Sequence, residues 1–112
     1  MRPPAHVYAK RKEPMSKVIT TITYAVKPEA RAAYEKHIAQ LKSLLTAAGK
    51  DYTIFEVEGK KNQFLEMFVT ATEAEYEALE DSMTPEMEAL ISQVGTLVDK
   101  GGMKYTTYIE KF

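Results

Sequence analysis

The apolar residues change their spacing along this chain, and that change of period limits the fold more than any single motif does. "KVITTITYAV" (17–26) is rich in β-branched residues and reads as a strand. Pro28 then suits the first turn of a helix. From Glu29 to Ala48 the positions Ala30, Tyr34, Ile38, Leu41, Leu45 and Ala48 recur at helical spacing, with Gly49 a natural stop. The alternating pattern returns in "YTIFEVE" (52–58) and "QFLEMFVTA" (63–71), on either side of the turn signal "GKKN". Thr72 followed by Glu75 predicts a capping box and a short helix through Met83 that carries Tyr76 and Leu79 inward. Thr84 and Pro85 restart a helix whose stripe is Met87, Leu90, Ile91, Val94 and Val98, until Gly101 and Gly102 end it. "MKYTTYIEKF" (103–112) alternates again and reads as a closing strand.

The resulting order is β, α, β, β, α, β. A hairpin and two crossovers in that order predict an α+β fold: a ferredoxin-like split βαββαβ antiparallel sheet of spatial order 4-1-3-2, with both helices on one face. In the first strand Val18, Ile22, Tyr24 and Val26 lie on one side, and Ile19 and Ala25 with two threonines lie on the other. Neither side is plainly solvated. A sheet that is apolar on both faces but covered by helices on one needs a partner, most simply a second copy in a two-fold dimer.

At 112 residues the chain is long enough for one domain with its own core. Residues 17–112 are expected to form it, and residues 1–16 to form a flexible arm, because "MRPPAHVYAKRKEP" combines three prolines with a basic cluster and no periodic apolar positions. "MSKVITT" from Met15 has the look of a natural start. There is no cysteine, so disulfides and thiolate metal sites are excluded. Fifteen basic side chains against 16 acidic ones give no global field for nucleic acid or an anionic membrane. No apolar run approaches a membrane span, and the basic start lacks the apolar core of a signal peptide, so the expected location is cytoplasmic.

The candidate chemistry centres on Glu66, which shares one side of its strand with Phe64 and Phe68. Desolvation between aromatic rings would raise its pKa and poise it as a general acid or base, whereas a partly exposed or paired strand glutamate is the plainer reading. If the hairpin loop is Lys60, Lys61 and Asn62, with Asn62 left-handed, Gly59 pairs with Gln63 and Glu56 lies directly opposite Glu66 as a coupled acidic pair. That register places Tyr52, Ile54, Glu56, Phe64, Glu66 and Phe68 on one face, and Thr53, Phe55, Val57, Leu65, Met67 and Val69 on the other. His37, at the border of the first helix's stripe, could reach a pocket rim or be a satisfied border residue. Six of the seven tyrosines, Tyr24, Tyr34, Tyr52, Tyr76, Tyr105 and Tyr108, offer rings with hydroxyl handles, although most such residues are core or interface. No metal-ligand spacing, phosphate loop, nucleophile elbow or nucleotide fingerprint is present, so neither a metal nor a cofactor is expected.

"TYAVKPEARAAYEKHI" resembles the strand, Val-Lys-Pro turn and first helix of the dimeric α+β barrel proteins. "FLEMFVTATEAEYEAL" followed by "TPEM" resembles the antibiotic biosynthesis monooxygenase type more specifically. The resemblance covers about Val18 to Phe112 and implies a homodimer with sheets packed face to face and a pocket in each subunit between sheet and helices. It matches Glu66 to the strand glutamate and Phe68 to a pocket-lining aromatic, often Trp. It places Phe64 where some active members carry a polar residue such as Asn, Leu79 near a frequent His, and Thr21 roughly where haem-degrading relatives carry an Asn. The expected activity is that of a cofactor-independent monooxygenase or isomerase acting on a small aromatic or quinone-like compound, with Glu66 as proton acceptor and Phe64, Phe68, Tyr76 and His37 shaping the pocket. The rival is a non-catalytic ligand-binding or assembly module, a reading favoured by the missing His and Trp.

Overall fold

The computed structural model describes residues 16–112; the expected arm lies almost wholly outside them. The chain forms β1 (Val18–Ala25), a 3-10 turn (Pro28–Ala30) that leads into α1 (Arg31–Ala47), then β2 (Asp51–Glu56) and β3 (Gln63–Thr70). After these come α2 (Glu73–Ala78), a second 3-10 turn (Glu80–Ser82), α3 (Pro85–Leu97) and β4 (Lys104–Ile109). The strands make one antiparallel sheet in the order β2-β3-β1-β4, the ferredoxin-like arrangement expected, with the helices on one face.

Each helix end has a local cause. Helix α1 buries Tyr34, Ile38, Leu41 and Leu45 and closes in a Schellman motif around Gly49, whose φ is +82°. There Lys50 N–H donates to the Leu45 carbonyl at 2.9 Å and Gly49 N–H to that of Thr46 at 3.0 Å. Ala48 therefore caps the helix and is exposed, rather than extending the stripe. The Thr72 hydroxyl accepts from Glu75 N–H at 3.1 Å, while the Glu75 carboxylate reaches one residue further back than a capping box requires, to Ala71 N–H. Helix α2 ends at Ala78, so the stretch to Met83 is a helix plus a 3-10 turn. The Thr84 hydroxyl accepts from Met87 N–H at 3.2 Å to start α3, which stops at Leu97, short of the expected Gly101. Val98 leaves the helix to bridge Val26, and Lys27 N–H and Asp99 N–H donate to Leu97 and Ala25 carbonyls there. Backbone groups just beyond β1 thus find partners that a longer helix would have denied them.

The hairpin corrects the expected register. Asn62 is left-handed at φ 68°, but Gly59 is also at positive φ, 77°, and Val57 N–H donates to the Gln63 carbonyl at 2.8 Å. The loop is therefore five residues, 58–62. The pairing slips by two, so Ile54 lies opposite Glu66 and Glu56 opposite Phe64. A slip of two preserves the faces. The helix-covered face carries the buried Val18, Tyr24, Tyr52, Phe64, Glu66 and Phe68. On the open face Thr53, Met67, Thr21 and Thr106 form one cross-strand row, flanked by a row of Asp51, Val69, Ile19 and Tyr108. Phe55 and Tyr108 on that face are about half exposed, at 47% and 56%.

Candidate functional site

Glu66 sits at the middle of β3 in a cross-strand row with Ile54 and Ile22, and Phe64 and Phe68 flank it along the strand. Such a position desolvates a carboxylate, and Glu66 is only 5% exposed. What makes it tolerable lies on the diagonals, where long side chains of neighbouring strands meet. From β2, Tyr52 Oη donates to Glu66 Oε1 at 2.6 Å. From β1, the Tyr24 hydroxyl stands 2.7 Å from Tyr34 Oη of α1, on the other diagonal of Glu66, where it pulls the carboxyl's pKa down. The rings pack as closely as the hydroxyls: Tyr52 lies 4.6 Å from Phe68 and Tyr34 4.5 Å from Phe64, centroid to centroid.

Burial pushes the Glu66 carboxyl above the usual carboxylate range, against the opposing pull of the two tyrosine hydroxyls. Burial and the neighbouring carboxylate push Tyr24 and Tyr52 far above the usual phenol range. The tyrosines consequently remain donors at any ordinary pH, and Glu66 is the member of the cluster able to gain or lose a proton.

One wall of a cavity of about 400 Å³ is formed by Glu66 and Phe68. Ile22 and Thr20 continue that wall, α2 contributes Tyr76 and the following Leu79, and α3 contributes Ile91 and Val94. Tyr76 Oη is 3.3 Å from Thr107 Oγ1, which pins α2 to β4 at the side of the cavity. Of the residues singled out from the sequence, Glu66, Phe68, Tyr76, Leu79 and Tyr105 meet here.

The others lie elsewhere. Phe64 is core, with the Arg31 guanidinium 5.1 Å from its ring. Glu56 does not face Glu66: Arg31 grips it bidentately at 2.7 and 3.2 Å and Asn62 N–H donates to it at 2.8 Å. Arg31, and then that N–H, hold the Glu56 carboxyl below the usual range. Thr21 faces the open side of the sheet, because it is odd in a strand whose even positions face the helices. His37 is half-buried on α1 and does not line the cavity, and its Nδ1 is buried with no hydrogen-bond partner among the described residues. Sequence reasoning gave Tyr24 and Tyr52 hydroxyl handles but did not join them to Glu66; the correct hairpin register would have put Tyr52 on its diagonal. Among the described residues no three His, Cys, Asp or Glu side chains converge to hold a metal ion. No helix among them is long and apolar enough to cross a membrane.

No family model matches this chain, and no curated protein does. Solved structures do. A provisionally assigned antibiotic biosynthesis monooxygenase from Caulobacter crescentus CB15 aligns over 94% of this chain and 99% of its own, at 16% identity and TM-score 0.73. A conserved protein from Methanosarcina mazei Go1 aligns over 90% and 99%, at 14% identity and TM-score 0.73. SnoaB from Streptomyces nogalater, a cofactor-independent oxygenase, aligns over 87% and 95%, at 16% identity and TM-score 0.64. At these identities the likeness is one of fold, and the chain has a ferredoxin-like α+β fold that it shares with these structures, antibiotic biosynthesis monooxygenase-like ones among them.

Proposed function

We propose that this protein binds a small, largely apolar aromatic or quinone-like molecule in the cavity beneath Glu66, and that it acts there as a cofactor-independent monooxygenase or isomerase. The observation that carries the reading is a buried carboxylate, raised in pKa, on the wall of a cavity with aromatic and aliphatic sides. Glu66 would take a proton from an activated CH or phenolic OH of the bound molecule. The tyrosine hydroxyls would hold the carboxylate in place by donating to it. Returning the proton to a second carbon is isomerisation. If the substrate carbanion instead reduces dioxygen, a CH₂ becomes C=O, and the second oxygen atom leaves as water with both hydrogens.

The open sheet face supports a homodimer that covers Ile19, Met67 and Val69 with a second copy, and an interface of that kind is expected to bury about 2,000 Å² or more. A cytoplasmic location accords with the cysteine-free composition.

A non-catalytic ligand-binding module is favoured by one observation. Phe64 and Leu79 supply no polar group beside Glu66, so hydroxyls of Thr20 and the lining tyrosines would have to stabilise the charge that develops on the substrate. Oxygen consumption with a panel of hydroquinones and anthrones, without added metal or flavin, tests the choice. Turnover that disappears in Glu66→Gln is expected of the enzyme. Saturable binding of the same compounds without oxygen uptake or isomerised product would leave the binding module.

A further inference from the structure

The cavity beneath Glu66 carries charge of one sign. Among its described lining residues the carboxylates are Glu66, Glu77 and Glu80, and none of the lining residues is Lys, Arg or His. Over the whole chain 15 basic side chains nearly balance 16 acidic ones, so this sorting is local. Glu77 and Glu80 stand exposed at the helical side of the cavity, and neither is ion-paired with another described residue. Three rings, Phe68, Tyr76 and Tyr105, line the same space.

These features discriminate between ligands of equal size. An anionic group brought to the rim meets like charges, and deeper in it would sit beside a carboxylate that has hydroxyl partners but no counter-ion. A cationic group gains from the rim carboxylates and from the ring faces, which attract cations through their quadrupoles.

We infer that the cavity selects an aromatic molecule bearing a basic amine, its ammonium drawn by Glu77 and Glu80 and its body held among Phe68, Tyr76 and Tyr105, and rejects carboxylates and phosphates of the same size. The inference rests on the ligand-binding reading above and adds the charge of the ligand to it.

The test is calorimetric titration of the full chain, at neutral pH and low salt, with naphthylmethylamine, naphthylmethanol and naphthoate. The three probes share a ring system and differ in charge. The amine is expected to bind at least about tenfold more tightly than naphthoate, a difference of about 1.4 kcal/mol, and added salt should narrow the gap. Glu77 and Glu80 are exposed, so the Glu77→Gln/Glu80→Gln variant should fold, and in it the gap should shrink to about threefold or less. Equal binding of amine and naphthoate, or an undiminished gap in the double variant, overturns selection for a cation while leaving the pocket intact. Failure of all three probes to bind overturns the pocket reading itself, and this inference with it.

Discussion

Replacing Glu66 by glutamine tests the site and the physics behind it together. Glutamine keeps the shape and a carbonyl oxygen able to accept from Tyr52, but it carries no charge. The charge-assisted bonds, worth about 1.5–3 kcal/mol, become neutral ones worth about 0.5–1.5 kcal/mol. Against that loss stands relief from burying an anion that lacks a cationic partner, a penalty of several kcal/mol. Because burial outweighs the hydroxyls at Glu66, the balance should favour the variant by on the order of 1–2 kcal/mol at neutral pH.

The pH dependence fixes the sign. A carboxyl whose folded pKa lies above its unfolded value contributes fully below the unfolded pKa, about 4.3 for glutamate. That contribution is lost as pH rises through the folded pKa. Wild type and variant should therefore be nearly equal in acid and diverge toward neutrality, with the variant the more stable. Leucine at the same position should do the reverse. It would leave the Tyr52 hydroxyl buried without its acceptor, at about 1–3 kcal/mol, and with little pH dependence. Urea unfolding at fixed protein concentration across that pH range measures all three proteins. A wild-type minus glutamine difference that is flat in pH, or that grows in favour of wild type toward neutrality, would refute the argument.

Other expectations follow from particular contacts. Gly49→Ala, at φ +82°, should cost about 1–2 kcal/mol through its left-handed backbone alone, read by urea midpoint; the added methyl meets nothing within 4 Å. Arg31→Ala removes the grip on Glu56, Asn62 and Glu35 at once, so it should lower Tm and speed amide hydrogen exchange in the 58–62 loop while leaving ligand affinity unchanged at the cavity, which Arg31 does not line. Met67→Lys places a charge at the centre of the open face between Thr53 and Thr21. It should shift the proposed dimer toward monomer in light scattering, and an unchanged mass would remove that face as the interface.

How much of this was legible depends on what each signal encodes. Period encodes faces, so the strand order and the division of the hairpin into two sides could be read from spacing, and both hold in the fold. Period does not encode offset. A three-residue and a five-residue loop give the same faces, and with Gly59 and Asn62 both available for positive φ, the expected three-residue loop gave way to the longer one. That slip of two is what separates Glu56 from Glu66. It sends Glu56 to Arg31, a partner on a helix whose distance from the hairpin no local pattern records.

The same offset decides the reading of Glu66. With Glu56 opposite, the carboxylates would have been a like-charged pair that needs a shared proton or a cation. With Ile54 opposite and tyrosines on both diagonals, Glu66 is a single acid in a hydroxyl cradle. A shared proton would have shifted with either carboxylate, so altering Glu56 would have changed how Glu66 titrates. In the observed register, Glu56→Gln should leave the titration of Glu66 in place and act only through Arg31 and the loop. Carbon-detected NMR titration of the Glu66 carboxyl in that variant distinguishes the two: a large displacement of its midpoint would restore the coupled pair and undo the proton-acceptor role argued for Glu66 alone.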